Sequence, residues 1–262
     1  MQPKPDMPAA VYPNAAVPFD IVFEDAHLLV VNKPAGVVTQ PGKGHLRDAL
    51  LNGLYARYGN LLNNVGPRRD FGLLHRLDRD ASGLLVVAMR PNAYDALRAN
   101  FAERTIEKDY LVMVAGNIQP PSGMIQARLK EIVAGDKKKV LITAQGQEAV
   151  SEYKVLAQGP KAALALVRIK TGRLHQIRAH MMFRGHPVLG DTLYGTDDLA
   201  RCGAPAAPRL ALHAARLGFT HPETGEWQSF TAALPADLAA YAARLNLEIP
   251  TLGPPNRPKP RH

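Results

Sequence analysis

The sequence predicts an α+β fold, and three observations predict it. Short apolar runs that read as strands cluster along the chain, where a doubly wound parallel sheet would alternate strand and helix one for one. Helical spacing is confined to four short segments. No internal repeat and no composition break interrupts residues 20–246, so a single domain is expected there. Its 262 residues, 46% hydrophobic and 21% charged, are enough for a proper core.

Taken in order, residues 21–24 and 28–32 alternate or run apolar around the turn Asp25-Ala26-His27 and read as strands. Lys33-Pro34-Ala35-Gly36 then breaks the sheet. Residues 47–58 carry Leu50, Leu51, Leu54 and Tyr58 at helical spacing. Two apolar runs, residues 71–74 and 82–88, read as buried strands on either side of a polar loop. A helix over residues 92–101 turns Tyr94, Leu97 and Phe101 inward. Strands follow at residues 106–114, 123–129, 140–143, 148–156 and 163–169. A helix is expected over 174–183, strands over 211–220 and 227–230, and a closing helix over 236–245. Residues 1–19 and 247–262 are Pro-rich and are expected to be tails, the second one basic.

Net charge is +9, which favours a polyanionic partner, although simple solubility explains it equally well. The single cysteine, Cys202, excludes an internal disulfide and fits a reducing compartment. The first twenty residues hold five prolines and no apolar core run, so no signal peptide is expected. No apolar stretch approaches the roughly 20 residues that span a bilayer. A cytoplasmic protein without a membrane role is expected. Nothing calls for an obligate protein partner, and a monomer is expected.

The polar loop between residues 71 and 88 holds His75, Arg76, Asp78, Arg79 and Asp80. If the chain entering Asp78 is extended, Arg76 and Asp78 project to the same side. A carboxylate beside a guanidinium stays ionised, as a nucleophile or general base requires. The same pair could equally close a turn. A second stretch, Thr171-Gly172-Arg173-Leu174-His175-Gln176-Ile177-Arg178-Ala179-His180, ends a strand and opens a helix near Leu174. His175 and Arg178, three apart, then share a helix face, with Leu174, Ile177 and Met181 on the adjoining apolar face. Arg178 either meets a buried carboxylate or an RNA phosphate, or the helix faces solvent. Cations at a helix N-terminus oppose the macrodipole, so an anion nearby is expected. In a third stretch, Glu107-Lys108-Asp109-Tyr110, Tyr110 suits either a core aromatic or a ring that stacks on a flipped base.

Other chemistries find no support. His175 and His180 are five apart, on different helix faces, and His186 adds no cysteine neighbour, so no metal site is expected. No phosphate-binding Gly-rich loop and no Gly-x-Ser-x-Gly elbow occurs.

Together these stretches resemble the RluA-type pseudouridine synthases. The ordered series is Leu29-Val30-Val31-Asn32-Lys33-Pro34-Ala35-Gly36, then His75-Arg76-Leu77-Asp78 with Ser82-Gly83-Leu84-Leu85, then Lys108-Asp109-Tyr110 and Thr171-Gly172-Arg173-Leu174-His175-Gln176-Ile177-Arg178. Gly185-His186-Pro187-Val188-Leu189-Gly190-Asp191-Thr192-Leu193-Tyr194-Gly195 and Leu212-His213-Ala214 complete it. The resemblance implies a largely antiparallel mixed sheet with flanking helices around a central cleft, and isomerisation of uridine to pseudouridine in structured RNA. It implies that Asp78 attacks the flipped uridine, that Arg178 pairs with that aspartate, and that Tyr110 stacks on the base. Arg76 would enter the RNA stack, and His75, Lys33, Arg173, His175 and Gln176 would meet substrate or RNA. No cofactor or metal is implied.

Two positions depart from the family pattern. Ala81 stands where the family usually has Thr, and Thr39-Gln40-Pro41 where many members have Val-His-Pro. Many ribosomal members also carry a small N-terminal RNA-binding domain, which is not expected here. The expected target is ribosomal RNA, 23S in particular, with transfer RNA as the alternative. A non-catalytic RNA-binding module is the rival from another class.

Overall fold

The computed structural model describes residues 11–135 and 137–257. They form two compact units. The first takes in the chain up to Ile106, Leu217–Ala232 and the stretch from Asn256; the second comprises Glu107–Arg216 and Ala233–Pro255. Both mix helices with antiparallel strands, the α+β class expected from the clustering of strands.

In the first unit, β1 (Asp20–Glu24), β2 (Leu28–Lys33) and β3 (Ser82–Ala88) pair antiparallel, with Leu28 opposite Ala88 and Lys33 opposite Gly83. Every residue of β3 is buried. A strand covered on both faces reads as a continuous apolar run, which is what Leu84-Leu85-Val86-Val87-Ala88 is. Helix α1 (Leu50–Val65) opens where Asn52 Oδ1 accepts the Ala49 N–H at 2.9 Å. The amides of Leu50 and Leu51, left without helical partners, donate to Val38 O (2.8 Å) and Thr39 O (3.2 Å). Helix α2 (Pro91–Ala102) starts on a proline, whose missing N–H costs nothing there, and buries Ala93, Tyr94 and Leu97. These side chains join Val30, Leu84, Val86, Leu217 and Phe219 in one core.

Three expectations need correction. Residues 71–74 are not a strand. Pro67–Gly72 coils into a 3₁₀ turn, with Asp70 and Phe71 at φ 50° and 49°, and only Leu73 bridges to Val87. Gly72, at φ 91°, lies so close to β3 that a Cβ would strike the Ala88 carbonyl. An apolar run has no period that separates a buried turn from a buried strand. Helix α1 starts three residues later than residue 47 and continues past Tyr58, kinking there, because Leu62 and Val65 extend its buried face. The N-terminal stretch is packed from residue 11 on. Val11 and Val17 are buried, and Asn52 Nδ2 donates to Tyr12 O at 2.7 Å.

The second unit places β4 (Glu107–Ala115), β8 (Ala162–Ile169), β7 (Gln147–Gln158), β5 (Ser122–Ala134) and β6 (Lys137–Ile142) side by side in that order, all antiparallel. Strand β6 is the outer one. It opens on Lys137-Lys138-Lys139, and lysine on an outer strand discourages pairing with another chain. Helices α3 (Gln176–Phe183), α4 (Thr196–Arg201) and α5 (Ala236–Arg244) complete the unit. Strand β9 (Leu212–Thr220) passes from the second unit into the first, where β10 (Trp227–Thr231) pairs with it. The chain beyond α5 is also packed: Leu247 is buried, and its amide donates to Ala242 O at 2.9 Å. The basic end of the second expected tail, residues 258–262, lies outside the described residues. Among the described residues, no helix is long and apolar enough to cross a membrane.

Candidate active site

Asp78 lies in the first unit, half-buried, in the loop that leads into β3. Its carbonyl accepts the Ala81 amide at 3.2 Å, closing a turn. Backbone anchors hold the residues on either side of it. On one side, Thr39 Oγ1 donates to Leu77 O at 2.9 Å and accepts from Leu77 N at 3.1 Å. On the other, Arg79 O accepts the Gly36 amide (2.8 Å) and Lys33 Nζ (3.2 Å).

Lys33 therefore does not sit as an RNA contact would. It is fully buried, and its ammonium also donates to Pro34 O (2.8 Å) and Val37 O (2.7 Å). A buried cation is tolerated because these carbonyl dipoles replace its water. His75 is likewise turned into the fold: its Nε2 accepts the Val86 amide at 3.1 Å, and its ring packs against Phe101. Arg76 is exposed. Arg79 pairs with Asp80 at 3.0 Å on the surface.

Tyr110 lies in the second unit on β4, opposite Val167 and buried. Period two puts Lys108 and Tyr110 on one face of β4, and Glu107 and Asp109 on the other. Asp109 is fully buried between two arginines. Arg168 forks it (2.6 and 2.9 Å), and Arg216 Nε reaches it at 2.8 Å. Arg168 also meets Glu107 at 2.7 Å. These charges lock β4 in place under Tyr110. Burial pushes the Lys108 ammonium down to about 8, against the pull of Glu107.

Helix α3 carries Arg178, which is buried. Its Nε and Nη2 fork Asp191 at 2.7 and 2.8 Å. This is the buried carboxylate that a cation in the first turn of a helix calls for. Asp191 Oδ1 accepts two more donors, the amides of Leu193 (2.8 Å) and Tyr194 (3.1 Å). Gly190 makes the approach possible: at φ 76°, it lies where a Cβ would strike the Arg209 carbonyl. The Tyr194 hydroxyl in turn accepts the Val140 amide of β6 at 2.8 Å, and Lys139 Nζ stands 5.0 Å over its ring.

The helix itself differs from expectation. It begins at Gln176, and His175 precedes it at φ 48°, so His175 and Arg178 do not share a helical face. His175 lies edge-on to Tyr194, with Nδ1 3.0 Å from its hydroxyl. Gln176 is buried, with every amide valence used. Its Nε2 donates to Val150 O and Ser151 Oγ, both at 3.0 Å, and its Oε1 accepts from Thr171 Oγ1 (2.6 Å) and Arg173 N (3.1 Å). That role is structural, and the expected substrate contact gives way to it. Arg173 stays exposed although its Nε donates to Glu148 O at 3.1 Å. Among the described residues, no group of three or more His, Cys, Asp or Glu is placed to hold a metal.

The sequence reading missed Thr39, Asp191 and the Asp109 pair of arginines. Asp191 and Thr39 were in view as parts of motifs, but pairing across 13 and 38 residues leaves no periodic trace.

Residues 27–182 match the family model described as RNA pseudouridylate synthase. A curated protein of Zymomonas mobilis, ribosomal large subunit pseudouridine synthase D, is 40% identical over 228 residues, covering 85% of this chain and 71% of that one. An RNA pseudouridine synthase of Bacillus subtilis is 39% identical over 226 residues, 86% of this chain and 72% of that one. The solved structure of human RNA pseudouridylate synthase domain containing 1 superposes with a TM-score of 0.69 at 26% identity, covering 93% of this chain and 94% of that one. The chain is an RNA uridine isomerase. It belongs to the RNA pseudouridylate synthase family.

Proposed function

We propose that this protein converts uridine to pseudouridine in structured RNA of the large ribosomal subunit, with Asp78 as the nucleophile. The RNA target rests on the name of the Zymomonas relative, which is a ribosomal large subunit enzyme. The assignment of Asp78 rests on its place in the His75-Arg76-Leu77-Asp78 motif. The observation that carries it is the anchoring of Leu77 and Arg79 on both sides of an aspartate that is only half-buried. A nucleophile needs its backbone held and its carboxylate within reach.

In this reading, the uridine leaves the RNA stack at a cost of roughly a few kcal/mol. Asp78 attacks either the anomeric carbon or ring carbon 6. The bond between ring nitrogen and sugar breaks, the base turns, and ring carbon 5 bonds to the anomeric carbon. The carboxylate of Asp78 leaves, the proton displaced from carbon 5 passes to solvent, and the ring nitrogen freed from the sugar takes up a proton from solvent. Substrate and product are isomers, so no electrons are gained or lost and no cofactor is called for. Tyr110 stacks on the base, and Arg178 is the residue that the resemblance pairs with the aspartate. Exposed Arg76 enters the RNA stack, and Arg173 takes a phosphate, recovering part of the cost of flipping. The protein acts as a monomer in the cytoplasm, where ribosomal RNA is available.

Tritium release from RNA labelled at uracil carbon 5 tests this. Asp78→Asn is expected to lower release by at least about 10³-fold with RNA affinity within about twofold. Undiminished release overturns the assignment of Asp78. Pseudouridine mapping in cells with and without the protein tests the target: a lost site in 23S RNA supports the proposal, and a lost site in transfer RNA alone overturns it.

A further inference from the structure

Thr39 is a buried polar residue that the reaction as described does not use. Its side chain is 3% exposed, and its hydroxyl both donates to and accepts from the backbone of Leu77, the residue before Asp78. Its own carbonyl accepts the Leu51 amide at 3.2 Å, in the first turn of α1, and Val38 O accepts Leu50 in the same way. Thr39 thus joins a sixteen-residue helix to the nucleophile loop. The partner peptide is buried too: Leu77 is 4% exposed. A valine here would have the same shape and neither hydrogen-bonding group. It would leave the amide and carbonyl of Leu77 facing a methyl group. Ala81, which closes the turn with the Asp78 carbonyl, has no hydroxyl to contribute.

We infer that Thr39 is a positioning residue for Asp78, holding the nucleophile loop through both backbone groups of Leu77. The inference rests on reading Asp78 as the nucleophile. Thr39 touches no reacting atom. Its work is to fix the direction in which the chain delivers the carboxylate, where a displacement of about 1 Å costs on the order of 10²-fold in rate. The other side of the loop is held separately, by Lys33 and Gly36 on Arg79 O, so loss of Thr39 loosens one of two anchors and leaves the fold standing.

The test compares Thr39→Val, Thr39→Ser and Asp78→Asn in the full chain, measuring single-turnover tritium release, RNA affinity and melting temperature. Thr39→Val is expected to lower the single-turnover rate by about 10- to 100-fold with RNA affinity within about twofold. Thr39→Ser, which keeps the hydroxyl, is expected to stay within about threefold of the parent, all measured below the melting temperature of every variant. A purely structural threonine would lower the melting temperature without changing the rate of the folded protein. That outcome, or an equal loss in Thr39→Val and Thr39→Ser, overturns the inference. Full activity in Asp78→Asn overturns the reading of the nucleophile, and the two failures are distinguishable. An inert Asp78→Asn beside a fully active Thr39→Val rejects Thr39 alone.

Discussion

Arg178 and Asp191 form a two-pronged ion pair, 2.7 and 2.8 Å, with the carboxylate fully buried and the guanidinium nearly so. A buried pair of this kind contributes little net stability over a well-packed apolar pair, since desolvation offsets the attraction. What it contributes is direction. A planar fork fixes the guanidinium in one plane, which an ammonium on a flexible stem does not allow.

The first prediction follows. Arg178→Lys keeps the charge and loses the fork, so the rate of tritium release should fall at least tenfold, with RNA affinity within about twofold. Asp191→Ala, which strands the buried cation, should destabilise the protein by about 3–5 kcal/mol. Denaturant titration and single-turnover kinetics check the two effects separately. An Arg178→Lys variant that loses affinity but keeps its rate would identify Arg178 as a phosphate contact.

How much of this was legible follows from the physics of each element. Strand β3 and the interior of β4 were readable because burial on both faces leaves an unbroken apolar run. The Pro67–Gly72 turn was not, because its residues are just as apolar at the C-terminal end and its left-handed angles fall on Asp70 and Phe71, not only on glycine. The need for an anion near Arg178 could be read from helix electrostatics, but Asp191 itself could not, since it arrives from a loop that only the tertiary fold brings close. Lys33 and Gln176 looked like substrate contacts because polar residues in a motif look alike in sequence. Their burial against carbonyls shows only in three dimensions.

The second prediction concerns Asp109, a carboxylate shared by Arg168 and Arg216. Arg216 Nη1 also donates to Gly253 O at 3.0 Å, so this aspartate ties β4 to the segment after α5 within one unit. Asp109→Asn removes a charge that both guanidiniums meet, and should cost about 3–5 kcal/mol. For a chain of this size, that is a drop in melting temperature of roughly 6–20 °C. Calorimetry checks it. A drop under about 2 °C would mean that neighbouring groups such as Glu107 already satisfy the two arginines.

The third prediction is a pH dependence carried by His180. Its side chain is fully buried in α3, with Nδ1 3.0 Å from Ser151 Oγ, and Nε2 has no hydrogen-bond partner among the described residues. Burial pushes its pKa down to about 4. In the unfolded chain, the imidazole titrates near 6.5. Between these values the unfolded state binds a proton that the folded state refuses, so stability is full above about 6.5 and falls as the pH drops toward 4. The loss grows to about 3 kcal/mol at the lower end, and below it this group adds nothing further. His180→Gln, which is neutral throughout, should flatten the stability profile between pH 6.5 and 4 by that amount, whatever its effect at pH 7. Urea unfolding at half-unit pH steps measures the profile. An unchanged slope in the variant would assign the acid sensitivity to another group.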